Sequence, residues 1–231
     1  MINRKQKQYS ANSSQAGFTL IEALLAIIVV TIMMIAIAPA IVLSVATRVQ
    51  AKRLELGTAA AQSYVDGVRS GTIPPPALNP IELKDTNPPP GGSLSCEDPD
   101  GLGRKSFYCT TPPSDLYCID NDDTPGCNDN SFKDMIIQAS GYHPTAPAIA
   151  TPTDADKGYQ LGIRVYRADA FKDSTDLKRS DDTTKNEAST FTAGAGDRKA
   201  PLVEMTTEIS TPKTKYGDLC ERQGGCGVVP D

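Results

Sequence analysis

Residues 18–46 read FTLIEALLAIIVVTIMMIAIAPAIVLSVA, a run of 29 positions whose one charge is Glu22. A bilayer span takes about 20 apolar residues, so this run is long enough to cross one. It also exceeds the roughly 7–15 apolar residues at the centre of an ordinary secretory signal. A lone span in lipid has to be helical, because only a helix satisfies its own backbone. The pattern does not stop at the apolar run. Val49, Leu56, Ala60, Tyr64, Val65 and Val68 recur at helical spacing, with Arg48, Lys52, Arg53, Glu55 and Asp66 between them. The reading is one helix of about 50 residues, or ~75 Å at its usual rise. Its first half (18–46) is apolar all round and its second half (47–71) is amphipathic. Ser70, Gly71 and Pro74 to Pro76 are expected to end it. Pro39 lacks a donor for the preceding turn and is predicted to kink or locally unwind the first half.

The remainder has another character. Residues 71–231 carry 16 basic and 25 acidic side chains, against 7 and 3 before them. No block of Lys and Arg suggests a nucleic-acid footprint, so no nucleic-acid partner is expected. Residues 72–106 hold Pro74–Pro76, Pro80, Pro88–Pro90, Gly91 and Gly92, and read as a linker region. A head over 107–231 follows. Tyr159, Leu161, Ile163 and Val165 alternate with Gln160, Gly162 and Arg164, as in a half-buried strand. Leu202 to Ile209 is a second strand candidate, with Val203 and Met205 on one face, expected to pair antiparallel with the first. Phe132 to Ala139 suits a short helix or a strand equally. The fold class is therefore α+β: a long N-terminal helix and a loop-rich antiparallel head.

Such a head has no Trp and few Phe with which to build a core. Its six cysteines offer other support: Cys96, Cys109, Cys118, Cys127, Cys220 and Cys226. An even number confined to the polar part, with no C-x-x-C, points to disulfides in an oxidising compartment rather than to zinc. Fifteen pairings are open to six cysteines. Cys220 with Cys226 would close a small loop turned by two glycines.

The string Gly17-Phe18-Thr19-Leu20-Ile21-Glu22, after a basic leader (1–17) and before the apolar run, resembles the processing site of type IV prepilins and pseudopilins. The resemblance covers residues 1 to about 70. It implies cleavage between Gly17 and Phe18 by a prepilin peptidase and N-methylation of Phe18. It implies assembly with other pilin-like subunits by an inner-membrane platform and its ATPase. The helix would cross the inner membrane once, with the head in the periplasm or on a surface filament. Pro39 falls where many pilins carry a helix-disturbing proline. A structural role follows, and no enzyme activity or cofactor is expected. Some pseudopilins hold calcium in a head loop. Asp120-Asn-Asp-Asp-Thr-Pro-Gly126 is rich in oxygen ligands but departs from an EF-hand loop at Thr124 and Pro125, so a solvated turn and a calcium loop both stay open.

Physics supports a role for Glu22. A carboxylate in a membrane helix is costly, and no basic residue within 18–47 can pair with it. The cationic amine of a neighbouring subunit's Phe18 would neutralise it and set the stagger between subunits. Ala23, Ala26, Ala36, Ala38, Ala40, Ser44 and Ala46 permit close helix approach.

Within this class, Gly158-Tyr-Gln-Leu-Gly-Ile-Arg-Val-Tyr-Arg167 and Thr72-Ile-Pro-Pro-Pro76 resemble the cyanobacterial pseudopilins of hormogonium polysaccharide secretion, which support slime export and gliding. The alternatives are a minor type IV pilin and a pseudopilin of type II protein secretion. A secreted enzyme with an ordinary signal is the rival from another class, since Ala38-Pro39-Ala40 offers a signal-peptidase site.

Overall fold

A computed structural model describes residues 19–110, 115–144, 155–180, 197–222 and 225. The chain divides into two compact units, residues 1–45 and 46–231. Helix α1, Leu20–Ser70, runs through both.

In the first unit every described residue is exposed, including each large apolar side chain from Leu20 to Val45. The helix is continuous through Pro39, the place where a kink or local unwinding is expected. One proline deletes one donor and leaves the hydrogen bonds of adjoining turns intact. Thr31 Oγ1 donates to the Ile27 carbonyl at 2.7 Å, so this hydroxyl needs no water.

In the second unit α1 buries Gly57, Ala60, Ala61, Tyr64, Val65 and Val68, a stripe with three- and four-residue steps. Gly71, at φ +74°, ends the helix in a left-handed turn in which its amide donates to Val68 O.

Among the described residues eight strands follow: β1 (Leu78–Asn79), β2 (Ser95–Cys96), β3 (Ser106–Tyr108), β4 (Leu116–Ile119), β5 (Cys127–Asn128), β6 (Met135–Tyr142), β7 (Tyr159–Arg167) and β8 (Val203–Ile209). A short helix α2, Tyr216–Arg222, comes after them. The main sheet has the order β3-β4-β6-β7-β8, all antiparallel. On the edge of β6 that faces β4, the first half (Met135–Gln138) pairs with β4, and Gly141 and Tyr142 pair with the parallel β1. Strands β2 and β5 form a separate two-stranded ribbon.

The pleat sorts the core. Tyr117, Met135, Ile137, Leu161, Ile163 and Val165 face the α1 stripe. Leu116, Cys118, Ile136 and Tyr166 face the other way and join Leu94, Phe107, Phe171, Leu177 and the ribbon cysteines in a second core. Strand β7 is thus covered on both faces rather than half-buried, and Arg164 is fully buried.

The cover over Arg164 comes from residues expected to form a linker. They carry β1, a 3-10 turn at Leu83–Asp85 and β2, and they bury Leu78, Leu83, Leu94 and Cys96. Arg164 ties this strap down. Its Nη1 donates to Thr86 O at 2.8 Å and its Nη2 to Leu83 O at 2.5 Å. Gln138, Arg164 and Glu204 stand opposite one another on β6, β7 and β8. Glu204 holds the Arg164 Nε at 2.7 Å, so the buried charge is both paired and hydrogen-bonded. Proline suits such a strap, because its missing amide needs no sheet partner.

Two disulfides staple the ribbon to the sheet: Cys96 to Cys109 and Cys118 to Cys127, with Cα separations of 5.1 and 5.9 Å. Cys96 and Cys127 sit opposite each other on one rung of the ribbon. Cys220 is disulfide-bonded as well, and Cys226 lies outside the described residues.

Candidate functional site

Gly17 and Phe18 also lie outside the described residues, so the site begins at Thr19. Its hydroxyl accepts the Glu22 amide at 3.4 Å, and its carbonyl accepts the Ala23 amide at 3.1 Å. Thr19 therefore caps α1, and Glu22 is the third residue of the first turn. Thr19-Leu20-Ile21-Glu22 has the capping-box pattern, a signal present in the sequence that a reading of Glu22 as an assembly residue alone passes over. A carboxylate in the first turn also suits the positive end of the helix dipole. Glu22 is exposed, with no ion pair among the described residues. Its side chain is available to another molecule while its backbone serves the cap.

The other half of α1 is held by tyrosines. Tyr64 Oη lies 2.7 Å from Tyr108 Oη, and Tyr108 donates to Pro74 O at 3.1 Å. A hydroxyl has one proton to give, so the chain runs Tyr64 to Tyr108 to Pro74. The Tyr117 ring stands edge-on to both, with centroids 5.0 Å away. Burial pushes the Tyr108 hydroxyl up to about 12 and raises that of Tyr64 further.

The oxygen-rich loop Asp120–Gly126 connects β4 to β5. Asp122 N donates to Asp120 Oδ1 at 3.0 Å and Thr124 N to Asp122 Oδ1 at 2.6 Å. The Ser131 hydroxyl, and after it the Thr124 amide, hold the Asp122 carboxyl below the usual carboxylate range. Asp134, absent from the sequence-derived candidates, joins this loop from the residue before β6. Its Oδ1 accepts the Asn121 amide at 3.0 Å, and burial pushes its carboxyl above the usual range.

Residues 12–38 match the family model described as the prokaryotic N-terminal methylation motif. The matched stretch contains Gly17, Phe18, Thr19 and Glu22 and ends one residue before Pro39. It supports a pilin-like protein, a structural rather than enzymatic class. It implies processing by a prepilin peptidase and assembly with other pilins. Helix α1 is consistent with that match, being long and apolar enough to cross a membrane. No curated protein and no solved structure matches the chain.

Proposed function

We propose that the chain is a pseudopilin or minor pilin of a type IV pilus-like or type II secretion-like assembly, serving polysaccharide secretion and gliding. The carrying observation is one continuous string. A methylation-motif match over 12–38 leads into a helix that is apolar and exposed from Leu20 to Val45. A helix apolar all round needs lipid or a bundle of its own kind. On this reading the peptidase cuts between Gly17 and Phe18 and methylates Phe18. The helix then passes from the inner membrane into a filament through the platform and its ATPase, with the head outside the cytoplasm. Glu22 meets the Phe18 amine of a neighbour. The polysaccharide role rests on the resemblance carried by Gly158–Arg167 and Thr72–Pro76.

Mass spectrometry of the mature N-terminus tests the class, and staining of exported material in a strain lacking the gene tests the role. N-methyl-Phe18 and loss of exported polysaccharide are expected. An N-terminus at Ile41 would replace the pilin by a secreted protein cut after Ala40. Loss of secreted proteins with normal polysaccharide would move it to the type II alternative.

A further inference from the structure

Where α1 enters the second unit, three arginines from separate parts of the chain come together. Gly57 packs so closely on Leu202 that a Cβ there would stand 3.0 Å from the Leu202 Cβ, and Leu202 N donates to Val165 O at 2.8 Å. Arg53 lies one turn before Gly57 on the same helix face. Arg167 ends β7, two residues past Val165 and on the same side of the sheet. Arg198 lies four residues before Leu202. The guanidinium groups feel one another. Burial pushes that of Arg167 below its usual value, Asp169 pushes it back up, and Arg53 and Arg198 push it down again.

Neither charge nor hydrogen bonding is complete at this end of the head. Arg167 is buried, with 7% of its surface exposed. Its acidic partner is Asp169, whose Oδ1 lies 3.0 Å from the Arg167 Nε without an aligned hydrogen bond. Arg198 and Lys199 share one carboxylate, Asp173, at 2.6 and 2.5 Å. Lys52 is paired with Glu55, whereas Arg53 has no ion pair among the described residues. Arg53, Arg167, Arg198 and Lys199 thus share only Asp169 and Asp173. A buried guanidinium with donors to spare is costly and calls for an anion.

We propose that Arg53, Arg167 and Arg198 form a site for the phosphate of an anionic phospholipid headgroup. The inference rests on the reading that α1 crosses a membrane. Arg53 follows Ala46, the last residue of the apolar run, by seven positions, about 10 Å of helix. The headgroup layer is roughly 5–8 Å deep on each side of the hydrocarbon core. Helical side chains lean toward the N-terminus, so Arg53 reaches back toward that layer. The planar fork of a guanidinium matches phosphate oxygens, and it is desolvated more readily than an ammonium. The rest of the head is acidic, 16 basic against 25 acidic side chains over 71–231, so this basic end is the one an anionic surface accepts. A subunit leaving the bilayer has to release the headgroup, and the contact therefore favours the membrane-held form.

The full chain in nanodiscs tests the site, with phosphatidylglycerol mixed into phosphatidylcholine against phosphatidylcholine alone. Phosphatidylglycerol should raise the unfolding midpoint of the head by about 2–4 °C. High salt should shrink the difference. Arg53→Gln combined with Arg198→Gln should abolish it while folding normally in phosphatidylcholine. Lys213→Gln combined with Lys215→Gln, an equal change of charge beyond the far end of β8, should keep it. Equal midpoints in the two lipids, with the helix inserted in both, would overturn the site and leave the membrane reading standing. Failure to enter either disc would remove that reading and the site with it. Retention of the lipid effect in the arginine variant would overturn the site, as would equal stabilisation by inorganic phosphate added to phosphatidylcholine discs, which would assign the arginines to a soluble anion.

Discussion

At the residue scale, Glu22 carries two duties that can be separated. Its backbone amide serves the Thr19 cap, whereas its carboxylate has no described partner. Glu22→Ala therefore keeps the cap and removes a charge from an apolar helix. Membrane insertion should be unchanged or better, since an acid costs about 2.5–3.5 kcal/mol at mid-span and less near an end. Incorporation into sheared surface material should fall if the carboxylate meets a neighbour's amine. Fractionation with in-cell crosslinking reads both, and wild-type incorporation would reduce Glu22 to a cap residue. Tyr64 and Tyr108 give a second test. Their folded pKa values are raised, so the stability they contribute is complete below the unfolded value near 10 and is lost as pH rises. Loss should run through about 12 for Tyr108. An ultraviolet titration should show Tyr64 and Tyr108 ionising only as the head unfolds. Ionisation of this pair in a head that is still folded would contradict the buried chain of hydroxyls.

At the element scale, the strap is where close approach matters most. A Cβ on Gly91 would stand 2.0 Å from the Thr175 carbonyl oxygen and 2.5 Å from that of Asp173. Both are backbone atoms and cannot swing aside. Gly91→Ala should therefore lower the urea midpoint, by a destabilisation of about 1–3 kcal/mol or more. Gly217→Ala in α2 meets nothing within 4 Å and should be neutral or slightly stabilising. Equal midpoints for the two variants would mean that the strap is not seated as described. This element was also the least legible in the sequence. Strand β7 and its antiparallel partner β8 announced themselves by alternation, and α1 by its period. The strap reaches the core through Leu78, Leu83 and Leu94, isolated among prolines, and no period marks such a contribution. Strand β6 was ambiguous because Met135, Ile136 and Ile137 are all buried, two on one face and one on the other. A sheet covered on both sides erases the alternation that identifies a strand. Asp134 was missed for a related reason. Twelve residues separate it from Asn121, and only the β4–β6 pairing brings it back to the loop.

At the scale of the whole molecule, covalent links substitute for apolar bulk in the second core. Protein unfolded without reductant should show almost no labelling of its six cysteines, and reduction should cost about 2–4 kcal/mol per bridge. Six reactive thiols would place the head in a reducing compartment and remove the case for export. The connectivity itself has a further consequence. Cys96 joins the next cysteine along the chain, Cys109, and Cys118 joins the next after that, Cys127, over separations of 13 and 9 residues. The loops neither nest nor cross. A chain threaded across a membrane from its N-terminal side presents each pair together, so each bridge can close before the following pair emerges. None of these four cysteines has to wait for a distant partner or discard a wrong one. This part of the head can mature in the order of its synthesis, oxidised stepwise, without calling on an isomerase to untangle it.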